Sequence, residues 1–162
     1  MKKTFFTFLT LISLSGHCQD SSVALINTVE FRLPGKDWNL VGRYEVGGQY
    51  TFKNKQTKVA VSLSARDKTK FDFYNDSLAN FELVKTFYKW DSDYWRQNPN
   101  CEVREIKSDT TKSYIIWYLK IPKGANYSLY GLKSDHLVGL NIDAKALPEK
   151  QAIELLENIY FR

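Results

Sequence analysis

Few side chains in this sequence are both reactive in type and spaced to react. The histidines are His17 and His136 and the cysteines Cys18 and Cys101, too scattered for a zinc-type centre, which draws on clustered Cys and His ligands. A nucleophile and base would have to combine His136 with Cys101 or a serine. Neither sits in a G-x-S-x-G elbow or a cysteine-enzyme signature, and His136 follows Asp135 in a turn-forming run, so it is expected as a surface turn histidine. The sequence also lacks P-loop, G-x-G-x-x-G and calcium-loop spacings.

Asp91 is the acid with the most unusual surroundings. Phe87 and Trp95 stand one helical turn to either side, and Tyr88 and Tyr94 are close by. A carboxylate buried there has two readings: a general acid or base with a raised pKa, or an acceptor for Tyr and Trp hydrogen bonds. The second is expected, because no partner carboxylate stands at a defined separation, as carboxylate-pair hydrolysis demands. Asp91-Ser92-Asp93 resembles a metal-binding tripeptide, but on a helix side chains two positions apart diverge by about 200°. No catalytic, cofactor-binding or metal-binding residue is therefore assigned. The expected working surface is aromatic instead: Tyr88, Trp90, Asp91, Tyr94 and Trp95 form a candidate interaction surface, since Trp and Tyr dominate interface hot spots. Tyr114, Trp117, Tyr118, Tyr127 and Tyr130 are expected mainly in sheet packing.

These residues need elements to hold them. Apolar positions between Ser77 and Asn98 recur at helical spacing, with Asp76 or Ser77 as N-cap and Pro99 past the end. Leu78, Phe81, Val84, Tyr88 and Trp95 make one stripe; Leu83, Phe87, Trp90 and Tyr94 make another. Strand patterns cover Val29 to Leu33, Tyr50 to Lys53, Thr57 to Ala65, Glu102 to Lys107, Ser113 to Ile121, Tyr127 to Leu132 and Leu137 to Ile142. In 113–121 both alternating sets are apolar, which predicts a central strand of a sheet covered on both sides. A last helix starts at Pro148 and buries Ala152, Leu155, Leu156 and Ile159.

The N-terminus gives an address. Lys2 and Lys3, the apolar run Phe5 to Leu14 and the small polar end Ser15 to Cys18 have the order of a secretory signal peptide, and about ten apolar residues fall short of the roughly 20 that span a bilayer. The expected organisation is a signal peptide at 1–18, a flexible segment at 19–28 and a single α+β domain at 29–162. Acylation of Cys18, the lipoprotein alternative, is disfavoured by His17 immediately before it. Cleavage would leave Cys101 without an intramolecular partner and lower the formal charge from +5 to about +3, because Lys2 and Lys3 leave with the signal. The lysines and arginines of 53–70 are interspersed with strand residues and read as a solvated hairpin tip, so no nucleic-acid partner is expected.

An opening strand with Phe31, Pro34 and Trp38, several antiparallel strands, a mid-chain helix, a long hairpin, two more strands and a final helix ending Ile159-Tyr160-Phe161 resemble the PsbP-like sandwich. That family includes the photosystem II extrinsic subunit, periplasmic DcrB-type proteins and Ran-binding import factors. The resemblance implies an antiparallel sheet covered by helices on both faces, and a non-catalytic module that docks onto a larger assembly. The function expected from the sequence is an exported, periplasmic or secreted binding or accessory protein of the cell envelope acting on a protein partner without a cofactor. The alternatives are an immunity protein against a toxin delivered to the periplasm and a small hydrolase using Asp91 or His136.

Overall fold

The computed structural model describes residues 21–45 and 47–162. The segment 1–18 expected as a signal peptide, Cys18 included, lies outside the described residues. The chain opens with a two-stranded hairpin, β1 (Ser21–Ile26) and β2 (Val29–Pro34). Then come β3 (Trp38–Tyr44), β4 (Gln49–Asn54), β5 (Ala60–Asp67), α1 (Asn80–Arg96), β6 (Glu102–Asp109), β7 (Tyr114–Ile121), β8 (Gly124–Lys133), β9 (His136–Asp143) and α2 (Glu149–Phe161). β3 to β9 form one seven-stranded sheet in the order β3-β4-β5-β9-β8-β7-β6, antiparallel at every pairing. The result is a single α+β domain with one large antiparallel sheet and two helices.

The two-residue period of a strand sends alternate side chains to opposite faces, and here it sorts the sheet residues into two apolar clusters. Val61, Leu63 and Ala65 of β5, Tyr114 and Ile116 of β7, and Leu140 and Ile142 of β9 join Phe31 and Leu33 of β2 and Ala152, Leu156 and Ile159 of α2. Ile115, Trp117 and Leu119 of β7, with Tyr130 and Leu137, join Leu83, Val84 and Tyr88 of α1. α2 is further keyed to the sheet through Tyr160. Its hydroxyl lies 3.0–3.1 Å from the carbonyl oxygens of Lys112, Ser113 and Leu132, and its ring occupies the space that a side chain at Gly131 would take.

Four expectations change. The segment 19–28 is not a flexible lead-in over its described part, because Ala24 and Ile26 are buried and the strand pairs with β2 along its whole length. α1 begins at Asn80 behind an Ala79 N-cap that supplies no side-chain hydrogen bond. Asp76 and Ser77 are taken up by a local turn in which Asn75 Oδ1 accepts from Ser77 N and Oγ while Asp76 accepts from Tyr74 Oη, the competition that short polar side chains offer to helix starts. β7 is buried on both faces yet stands second from an edge, flanked by β6. Pro148 is the N-cap of α2 and not its first helical residue.

Candidate functional site

α1 reaches the sheet along one narrow line. Val84, Tyr88 and Ser92 are buried at the four-residue steps that align side chains on one helix face, with Leu83 buried next to Val84. Tyr88 makes an edge-on contact with Trp117 at 5.6 Å and accepts a 2.9 Å hydrogen bond from Arg96 Nη2. Arg96 also donates to Ser92 Oγ and Asp93 Oδ1, both at 2.8 Å. The helix runs on through Asp91-Ser92-Asp93, so the two carboxylates diverge as the geometry predicts: Asp93 to Arg96, Asp91 to the sheet.

Asp91 accepts from two aromatic donors. Trp95 Nε1 donates to Oδ1 at 3.2 Å, and Tyr130 Oη donates to Oδ2. Tyr130 is 7% exposed and its ring stacks on Phe87 at 4.4 Å. Burial first, then the negative charge and hydrogen bond of Asp91, hold the Tyr130 phenol well above the ordinary tyrosine range. The pair is thus a protonated phenol on a carboxylate, an arrangement that fixes α1 on β8.

Of the five residues on the candidate interaction surface, the structure divides the roles. Tyr88 is buried in the helix–sheet interface, and Asp91 and Trp95 are half-buried and bonded to each other. Trp90 and Tyr94 remain 61% and 66% exposed. Trp90 is backed by Phe87, Phe71 and Phe73, whose ring centroids lie 6.2–6.4 Å from its own. Beside it opens a cleft of about 460 Å³ with Phe71, Phe73 and Trp90 as aromatic walls and Arg66, Lys70 and Asp72 at its polar parts; the Arg66 guanidinium sits 5.1 Å from the Phe71 ring centre. Phe71 and Phe73 were outside the aromatic set read from the sequence because they precede the helix and carry no helical period.

A second hollow, of about 500 Å³, opens on the other flank of α1, bounded by Asp91 and Trp95 of the helix and by strands β4, β5, β7, β8 and β9. Ser62, Asn141, Ser128 and Trp117 line its floor and belong to one row across the sheet. Register places Thr51, Ser62, Asn141, Ser128 and Trp117 side by side on β4, β5, β9, β8 and β7. Thr51 and Ser62 share a 2.8 Å hydrogen bond, and Ser128 Oγ donates to Asn141 Oδ1 at 2.7 Å. Sequence reasoning did not single out this row. Its signal was the alternation Val61-Ser62-Leu63-Ser64-Ala65 and the lone Asn141 inside an apolar strand, but only the register assembles them.

His136 and Cys101 stand apart from both hollows. His136 Nδ1 lies 2.7 Å from Ser134 O at the start of β9, and Cys101 is a free, half-buried thiol before β6. Lys68 pairs with Asp135 at 2.6 Å, tying the basic stretch after β5 to the β8–β9 turn. Among the described residues no helix is long and apolar enough to cross a membrane.

No family model and no curated protein matches this sequence. Among solved structures, the chain is similar to cyanobacterial PsbP (CyanoP) from Synechocystis sp. PCC 6803, whose solution structure superposes with a TM-score of 0.53 over 90% of this chain and 92% of that one at 9% identity. The fold is PsbP-like. At that identity the likeness concerns the path of the backbone and assigns no residue a role.

Proposed function

We propose that this chain is an exported binding or accessory protein of the cell envelope that works by protein–protein recognition, through the outer edge of α1 and the aromatic cleft beside it. On this reading the two apolar clusters are the two covered faces of one sheet, with α1 on one and α2 and the β1–β2 hairpin on the other. The free edge of α1 is then left for a partner. The observation that carries the reading is the exposure of Trp90 and Tyr94 on a helix whose inward side is closed. A tryptophan buries about 150–250 Å² in full, so covering the exposed part of Trp90 alone is worth about 2–4 kcal/mol at the usual ~25 cal/mol per Å². Arg66 and Lys70 at the cleft favour a partner segment that presents an apolar side chain next to a carboxylate. Export rests on the sequence of residues 1–18.

The hydrolase alternative is less well supported, because both oxygens of Asp91 already accept hydrogen bonds from groups that fix the helix. The test is affinity capture from envelope extract with the wild-type chain and the Trp90→Ala/Tyr94→Ala variant side by side. A stoichiometric partner is expected with the wild type and lost with the double variant, which stays folded although loss of the Trp90 contacts with Phe71, Phe73 and Phe87 lowers its unfolding free energy by about 1–2 kcal/mol. The partner's identity separates an accessory role from immunity to a toxin. Retention of the same partner by the double variant would remove this surface from the mechanism.

A further inference from the structure

The hollow between α1 and the polar half of the sheet carries, beside paired polar groups, three lining residues whose side-chain hydrogen-bonding groups the protein leaves unused. Trp117 Nε1 is buried without a hydrogen-bond partner among the described residues, and a buried unpaired donor costs about 1–3 kcal/mol. The side chains of Gln49 and Asn126, also on its wall, make no hydrogen bond among the described residues either. Two carboxylates share the wall, Asp91 with both oxygens already bonded to Trp95 and Tyr130 and Asp143 with Oδ1 accepting from Lys145 N, and no lysine, arginine or histidine does. Leu119 and Trp95 add apolar surface.

We infer that this hollow is a binding site for an uncharged, polyhydroxylated small molecule, a sugar of one or two rings. The reasoning is one of donor and acceptor matching. The indole of Trp117 can only donate, the remaining oxygen of Asp143 can only accept, and the amides of Gln49 and Asn126 do both. A hydroxyl satisfies all of these, since it accepts from an N–H while donating to a carboxylate. An ammonium group cannot accept from the indole or amides. A phosphate or carboxylate ligand would meet two aspartates with no cation to offset them. A sugar ring also offers C–H faces to Trp95 and Leu119. The volume, about 500 Å³, falls within the ~300–1,000 Å³ of small-ligand pockets. This site is separate from the Trp90 cleft, so a partner protein and a sugar do not compete for the same residues.

The test is a titration of the full chain, ¹⁵N-labelled, with glucose, N-acetylglucosamine and the β-1,4-linked dimer of N-acetylglucosamine, each to about 10 mM, tenfold above a millimolar dissociation constant. The Trp117 and Trp95 indole N–H signals should shift with at least one of the sugars while that of Trp38, which donates to Pro34 O on the other side of the molecule's first hairpin, stays in place. Asn126→Ala should weaken the response at least tenfold with the Trp38 signal unchanged as the sign of an intact fold. Asn141→Leu, which also strips Ser128 of its acceptor, should do the same if it folds. Silence of the Trp117 signal with all three sugars, a response unaffected by Asn126→Ala, or a shift produced by putrescine or inorganic phosphate in place of the sugars would each overturn the assignment. Trp90→Ala should leave the titration unchanged, so failure of the sugar site and failure of the protein-docking surface are read separately.

Discussion

Replacing Asp91 tests whether this carboxylate anchors the helix. In Asp91→Ala the hydroxyl of Tyr130, a residue 7% exposed whose ring stacks on Phe87, loses its acceptor. A hydrogen bond to a charged group contributes about 1.5–3 kcal/mol, and most of that is lost when a buried partner stays behind. Trp95 is half-buried and its indole rehydrates, so its bond adds little. Against the loss stands the better helix propensity of alanine, up to about 0.7 kcal/mol. The net expectation is a destabilisation of about 1–2 kcal/mol. Tyr130→Phe should cost about 1 kcal/mol, because Asp91 borders an open hollow and can be hydrated there. In the double variant both polar partners are gone, so its cost should fall short of the sum of the single ones by about 1 kcal/mol, within the 0.5–3 kcal/mol coupling of groups in contact. Urea unfolding of the four proteins, followed by circular dichroism, measures each value. Additivity within about 0.5 kcal/mol, or Asp91→Ala as stable as wild type, would refute the anchoring argument and return Asp91 to the list of groups free for chemistry.

Two further outcomes follow from the way α2 is held. A Cβ at Gly131 would lie 2.5 Å from Tyr160 Cε2, and the pinned hydroxyl leaves the ring little room to yield. Gly131→Ala should therefore destabilise by about 1–3 kcal/mol, the usual cost of overpacking; an unchanged thermal midpoint would show that the ring shifts freely. Burial, acting more strongly than any other influence, pushes Tyr160 up to about 12 from 10.0. A folded-state pKa above the unfolded one stabilises fully below the unfolded value and loses its contribution as pH rises through the folded one. Stability should thus fall between pH 10 and about 12, with up to about 3 kcal/mol traceable to Tyr160. Chemical unfolding across that window should show a shallower fall in Tyr160→Phe, and an identical slope would contradict the assignment.

The order of elements and the type of nearly every one of them were legible in the sequence, because each strand and helix carries its own period. Val61, Leu63 and Ala65 announce one face of β5 without any knowledge of what lies beneath it. The scarcity of histidine and cysteine was likewise a property of the chain alone. Two strands were missed: β1, whose apolar run Val23 to Ile26 shows no alternation and gains a buried face only when β2 pairs with it, and β3, an edge strand with no buried residue and so no two-residue period to read.

What the tertiary structure decided is which aromatics work inside and which outside, and which polar residues meet. The period of α1 places Tyr88, Trp90 and Tyr94 on a broad aromatic arc, but only the position of the sheet buries the first and exposes the other two. Ser62, Ser128 and Asn141 are unremarkable strand residues when read in order. Strand register, a long-range property set by hydrogen bonding between segments far apart in sequence, lines them up beside Trp117 and Asp91 and makes a polar hollow that the sequence does not announce.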